Sequence, residues 1–147
     1  MTQNIKCKKL KENALLPTYG TDYSAGADLY ACLKQETVIE PGQTLLIPTG
    51  IGMEIPAGYA GLIYARSGLS TKKGLAPANK VGVIDADYRG EIQVPLYNQS
   101  RESQVVEPGE RIAQLIITPF LTAVFEETDA LEETERGEGG FGSTGTK

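Results

Sequence analysis

An all-β fold, either a sandwich or a barrel, is the architecture this 147-residue sequence predicts. Turn signals recur at roughly eight- to twelve-residue intervals, and the stretches between them are short and apolar or alternating, the pattern of many short strands. No segment keeps a helical period over four turns, and Ser67–Lys73 is the only short helical candidate. A chain of this length is one domain by the usual prior. With 40% hydrophobic and 22% charged residues it has the composition of an ordinary globular protein.

The elements follow in order. Ile5–Leu10 alternates loosely through Ile5, Cys7 and Leu10 and reads as a first strand. Leu15–Ser24 is irregular, punctuated by Pro17 and Gly20. Ala25–Ala31 sets small residues around Asp28, as expected of a strand packed closely against another backbone. Glu40-Pro41-Gly42-Gln43 turns into two short strands, Thr44–Pro48 and Ile51–Ile55, divided by Thr49-Gly50. Pro56-Ala57-Gly58 turns again, and Ala60–Ala65 is a strand that ends at the helical stretch. Gly82–Ile84 and the alternating Ile92, Val94 and Leu96 read as the arms of a β-hairpin. Asn98–Ser103 and Glu107–Glu110 are polar turns, Arg111–Ile117 is an apolar strand interrupted by Gln114, and Ala123–Glu126 is a last short strand. From Glu127 the composition becomes acidic and then glycine-rich. The chain therefore divides into a β domain, residues 1–126, and a C-terminal tail of the same domain, residues 127–147.

Charge and composition exclude several chemistries. A net charge of −5 and a pI near 4.8 argue against polymeric nucleic acid as a partner, which calls for a basic face. A small phosphate ligand needs only local cations and backbone donors. Histidine is absent, which removes Ser-His-Asp, Cys-His and His-metal chemistry and leaves a carboxylate as the general base. Cys7 and Cys32 lack CxxC spacing and read as reduced thiols of a cytoplasmic protein, with no zinc site. No run approaches the ~18 apolar residues of a membrane span, and the first ten residues lack the apolar core of a signal peptide. No membrane partner is expected.

The stretch Gly82–Glu91 holds two carboxylates and a tyrosine at its tip. It reads either as a good turn or as a place where backbone reads a planar base, Tyr88 packs a sugar and Asp85 acts as a base. Asp28 is a turn carboxylate or faces a metal-bound phosphate. Arg66-Ser67-Gly68-Leu69 offers a guanidinium, a hydroxyl and an unhindered N–H where strand yields to helix, suited to phosphate or to a salt bridge and an N-cap. Asn79 fits an Asx-turn or the edge of a pyrimidine. Gln114, in a buried strand, needs a partner, either backbone or ligand. In the tail, Arg136 could clamp a terminal phosphate and Phe141 could stack on a base, as in a lid, while glycine-rich ends are otherwise flexible. The twenty-one residues from Glu127 to Lys147 reach about 70 Å when extended, enough to serve a neighbouring subunit.

Gly26-Ala27-Asp28-Leu29, Arg66-Ser67-Gly68-Leu69, Gly82–Gly90, Pro108-Gly109-Glu110-Arg111-Ile112-Ala113-Gln114 and Arg136–Gly145 occur in this order. Together they closely resemble the five motifs of the trimeric dUTPase family, the deoxyuridine 5′-triphosphate nucleotidohydrolases. The resemblance spans nearly the whole chain, from Asp28 to Gly145. Ala65 departs from it, standing where the family usually has proline before the arginine, but it removes no ligand group. The resemblance implies a jelly-roll-like β-barrel with one short helix, assembled as a homotrimer with exchanged C-terminal tails. One subunit would supply Gly82–Gln93 to each site, a second Asp28, Arg66–Gly68 and Gln114, and a third the tail. The matching substrate-binding residues are Arg66, Ser67, Gly68, Asn79, Val83, Ile84, Tyr88, Gln93 and Gln114, with Arg136, Phe141, Gly142, Ser143 and Thr144 in the lid.

The implied activity is Mg²⁺-dependent hydrolysis of dUTP to dUMP and pyrophosphate, limiting uracil in DNA and supplying dUMP for dTMP synthesis. Asp85 would activate a water for in-line attack on the α-phosphorus. Asp28 would meet Mg²⁺ in its outer shell, through water. Two other readings remain open on this fold: dCTP deaminase, which needs a different acid/base glutamate, and a non-catalytic nucleotide-binding module.

Overall fold

Twelve strands and one helix form among residues 3–140, the part of the computed structural model described here. The strands are β1 (Lys6–Lys9), β2 (Thr18–Tyr19), β3 (Ala27–Tyr30), β4 (Thr37–Ile39), β5 (Thr44–Pro48), β6 (Ile51–Glu54) and β7 (Tyr59–Tyr64). Helix α1 (Ser67–Lys73) precedes β8 (Leu75–Pro77), β9 (Gly82–Ile84), β10 (Gln93–Asn98), β11 (Gln104–Val106) and β12 (Arg111–Pro119). Among these residues no helix is long and apolar enough to cross a membrane.

The fold is mostly β, as the sequence predicts, but the strands do not close into one barrel. They pair into a five-stranded sheet, β2-β3-β12-β7-β9, a three-stranded sheet, β5-β10-β8, and two ribbons, β1-β6 and β11-β4. Period-2 alternation turns one face of each strand inward. In β10 it buries Val94, Leu96 and Asn98 while Gln93, Pro95 and Tyr97 stay half-buried. Leu29, Ile39, Ile47, Ile51, Leu75, Ile92 and Ile112 complete a single core. Thr49 and Asn98 are buried polar residues beside it, and every group on the Asn98 amide is used. Nδ2 donates to the carbonyls of Ile39 and Glu102, both at 2.8 Å, and Oδ1 accepts from Ser100 N–H and Oγ at 2.9 and 2.7 Å. The thiols of Cys7 and Cys32 are free, and burial pushes that of Cys7 up.

Two sequence expectations are corrected. Gly82–Leu96 is not a hairpin by strand pairing: β9 pairs with β7, whereas β10 pairs with β5 and β8. The arms diverge into different sheets because each finds a longer partner elsewhere. Ala123–Glu126 is not a strand, and residues 120–140 form none. A strand needs a partner ladder, and this segment has none among the described residues; Val124 and Phe125 are each 95% exposed.

Candidate active site

The divergence of β9 and β10 opens a cleft of about 220 Å³, lined by Val83, Ile84, Asp85, Tyr88, Glu91, Ile92 and Gln93. Strand β9 is the edge of the five-stranded sheet, so among the described residues its outer backbone groups have no strand partner. A planar ligand can pair with such an edge as another strand would.

The tip between the arms is braced internally. Tyr88 N–H donates to Asp85 O at 3.2 Å, closing a turn. Arg89 Nη1 donates to Ala86 O at 2.7 Å and to Tyr88 O at 3.1 Å. Tyr88 folds back, its hydroxyl donating to Glu91 O at 2.9 Å. Its ring lies over Gly90, where a Cβ would collide with it, so a side chain at position 90 would dislodge the tyrosine. Even so, Tyr88 remains 44% exposed and presents a ring face at the cleft. The Glu91 carboxylate accepts from Lys11 Nζ at 2.8 Å, Gly50 N–H at 2.9 Å and Gln93 Nε2 at 3.3 Å. Burial opposes its ionisation, but the hydrogen bonds from Lys11, Gln93 and Gly50 outweigh that, with the Lys11 charge adding to them, and hold the carboxyl below its ordinary range. Asn79 sits in the turn leading to β9, its amide nitrogen 3.3 Å from where a Cβ on Gly82 would lie.

A second cluster forms where β3, β12 and β7 run side by side. Asp28, Gln114 and Tyr64 stand in register across these strands. A bulge between Arg111 and Ala113 shifts the register beside them. Asp28 accepts from Arg66 Nε at 2.7 Å and from Arg111 Nη1 at 3.3 Å. Gln114 Nε2 donates to Ala65 O at 2.8 Å, so its partner is backbone. Gly26 makes room for it, since a Cβ there would come within 2.6 Å of Gln114 Oε1. Arg66 is the N-cap residue of α1 without a side-chain capping bond, so the Ser67 hydroxyl does not serve as the cap. A Cβ on Gly68 would meet nothing within 4 Å, leaving its backbone approachable from solvent. Among the described residues no group of three or more His, Cys, Asp or Glu is arranged to hold a metal ion. Asp28 accepts from two guanidinium groups, so its charge is matched within the chain.

The cleft and the cluster lie at opposite ends of one strand. Ile84 pairs with Gly61 and Gly82 with Ile63, so β9 runs away from Arg66 toward Asp85. Gly61 is five residues before Arg66 on extended chain, a separation of about 17 Å. Arg136 joins neither group; its Nε donates to Gly139 O at 2.8 Å within the tail. Phe141, Gly142, Ser143 and Thr144 lie outside the described residues. Sequence reading gave no role to Lys11, Glu91, Arg89 or Arg111. Of these Arg89 and Arg111 stood within motifs, Arg89 beside Tyr88 with partners from its own turn, while Lys11 and Glu91 meet through a tertiary contact.

These features define a class: a small β protein with a ring-sized cleft on an exposed strand edge and a cationic corner elsewhere. The dUTPase family model matches residues 12–145, and the chain belongs to that family. It is 56% identical over 131 residues to the deoxyuridine 5′-triphosphate nucleotidohydrolase of Desulfitobacterium hafniense, covering 88% of this chain and 87% of the relative. To the enzyme of the same name from Syntrophotalea carbinolica it is 49% identical, covering 98% of each chain. A mutant dUTPase of Staphylococcus bacteriophage 80alpha, solved with dUpNHpp, superposes with a TM-score of 0.88 at 31% identity, covering 98% of this chain and 99% of that one. The dUTPase of S. aureus phage phi11, described with a structural Mg(II) ion, superposes at 0.79 with 26% identity, covering 89% and 100%.

Proposed function

We propose that the protein is a dUTP diphosphatase, hydrolysing dUTP to dUMP and pyrophosphate. The observation that carries this reading is the cleft that joins an unpaired strand edge, Asp85 and Tyr88 in a chain of the dUTPase family. The backbone of Val83 and Ile84 pairs with the uracil edge, and Asn79 and Gln93 complete the base pocket. Cytosine, whose ring nitrogen and exocyclic group reverse the donor pattern, is rejected; such sites discriminate by ~10⁴–10⁵. The Tyr88 ring packs on the deoxyribose and leaves no room for a 2′-hydroxyl.

Asp85 orients and deprotonates the water that attacks the α-phosphorus in line, and pyrophosphate leaves. Arg66, the backbone at Ser67 and Gly68, Gln114 and Arg136 stabilise charge on the phosphate oxygens. Bound with the triphosphate, Mg²⁺ would offset its charge, and Asp28 would hold it through water. Phe141, Gly142, Ser143 and Thr144 belong to the lid that closes over substrate, in the tail of residues 127–147 that follows the β domain of residues 1–126.

The cleft and Arg66 lie about 17 Å apart along the strand, which supports a site shared between copies, in a homotrimer with exchanged tails. The exposed Leu121, Val124 and Phe125, just before the tail, and Leu131 within it are apolar groups that a neighbouring copy would cover. The protein is cytoplasmic. Pyrophosphate release with Mg²⁺ is to be measured against dUTP, UTP, dTTP and dCTP in parallel. Release from dUTP alone is expected; ammonia from dCTP, or binding of dUTP without turnover, contradicts the reading.

A further inference from the structure

Residues 85–91 cross from one sheet to the other with no ladder of their own, since β9 pairs with β7 and β10 pairs with β5 and β8. The turn that opens this crossing carries Asp85. A single backbone bond closes it, from Tyr88 N–H to Asp85 O at 3.2 Å, the long end of the normal range. Asp85 is exposed, and among the described residues its carboxylate makes no ion pair. The backbone of the turn therefore sets where it points.

Arg89 supplies what the turn lacks. Its Nη1 donates to Ala86 O at 2.7 Å and to Tyr88 O at 3.1 Å, two bonds from a group that stays ionised at any working pH. A Cβ on Gly52 of β6 would come within 3.3 Å of Arg89 O and 3.2 Å of Gly90 O, so the backbone here rests directly on β6. Arg89 also borders a second cavity, of about 460 Å³, together with Glu54, but Glu54 is paired with Lys6 at 3.0 Å. Among the described residues no ion pair draws the guanidinium off the two carbonyls.

We infer that Arg89 is a positioning residue for the general base: by holding Ala86 O and Tyr88 O it fixes the Asp85–Tyr88 turn in the shape that sets Asp85 at the cleft. This rests on the reading of Asp85 as the group that activates water. Arg89 is not among the residues lining the cleft, so it acts through Asp85 and its effect falls on kcat. A reacting group misplaced by about 1 Å can cost about 10²-fold in rate.

The test is kcat and KM for dUTP in the wild type, R89A, R89K, D85N and the double variant R89A/D85N, with thermal melting of each. R89A is expected to lower kcat by about 10- to 10²-fold, with KM and the melting temperature nearly unchanged. R89K, whose ammonium can still donate to a carbonyl, falls between R89A and the wild type. In the D85N background R89A costs nothing further, because the group it positions is already gone. An R89A with wild-type kcat, a rise in KM at unchanged kcat, or the same fold-loss of kcat with and without Asp85 overturns the inference. Should R89A fail to fold, R89M, which keeps the stem without the donors, is held to the same outcomes. Wild-type turnover in D85N overturns the reading of Asp85 and the inference with it; an inactive D85N beside a normal R89A overturns the inference alone.

Discussion

At the scale of single residues, the proposed function places its chemistry on Asp85 and its sugar selection on Tyr88. Asp85→Asn keeps the shape of the tip but removes the base, so dUTP binding is expected to persist while turnover falls by about 10²–10⁴; unchanged turnover would remove Asp85 from the chemical step. Tyr88→Ala opens the sugar wall and is expected to admit UTP, measured as pyrophosphate release. Glu91 links the site to stability. Its folded-state carboxyl is held below the ordinary range, so its contribution is fully present above the unfolded value of about 4.3 and is lost as pH falls through the folded value. Denaturation between pH 3 and pH 7 should therefore be less pH-dependent in E91Q than in the wild type. The residues chosen from sequence were visible because their types are unusual where they stand: an aspartate among small residues at Asp28, a glutamine in an apolar strand at Gln114. Their partners were not visible. Gln114 bonds Ala65 O across the sheet and Asp28 binds Arg66 and Arg111, contacts set by strand register and not by spacing along the chain.

At the scale of elements, the strands with their own apolar pattern were legible. The seven-residue helix Ser67–Lys73 and strand β5 match their predicted spans, and β6 and β12 differ by a residue or two at an end. Strands β2, β4, β8 and β11, of two or three residues, were not legible, since a strand that short is defined by its partner. The same reason undid the hairpin: its arms alternate properly, but β5 and β7 offer longer ladders, and the cleft opens where the hairpin's own ladder would have run. The joint at the end of β10 depends on Asn98. Asn98→Ala leaves the buried carbonyls of Ile39 and Glu102 without their donor and should cost about 2–3 kcal/mol by chemical denaturation. The described part of the tail is an element of the opposite kind: Leu131 is exposed, and residues 127–140 form no ladder to the β domain. Deleting residues 136–147 should cut turnover sharply and leave the melting temperature nearly unchanged; an unaffected rate would make the tail a bystander.

At the scale of the whole molecule the proposal is a site shared between copies. Strand β9, which carries one wall of the cleft, pairs with the early part of β7, and the Asp28–Arg66–Gln114 cluster lies at the other end of β7, so in the proposed reading a second copy brings the two together. Composition left that invisible, because a shared site needs no unusual residue, only a strand that separates two halves. Asp85→Asn and Arg66→Ala chains can be co-expressed in equal amounts and assayed for dUTP hydrolysis beside each variant alone. Each alone should be nearly inactive. Random assortment pairs an intact Asp85 with an intact Arg66 from the other chain in about one quarter of the sites of a symmetric oligomer, so the mixture should recover about that share of wild-type activity. A mixture no more active than the two variants separately would place Asp85 and Arg66 of the same chain in one site and contradict the shared-site account.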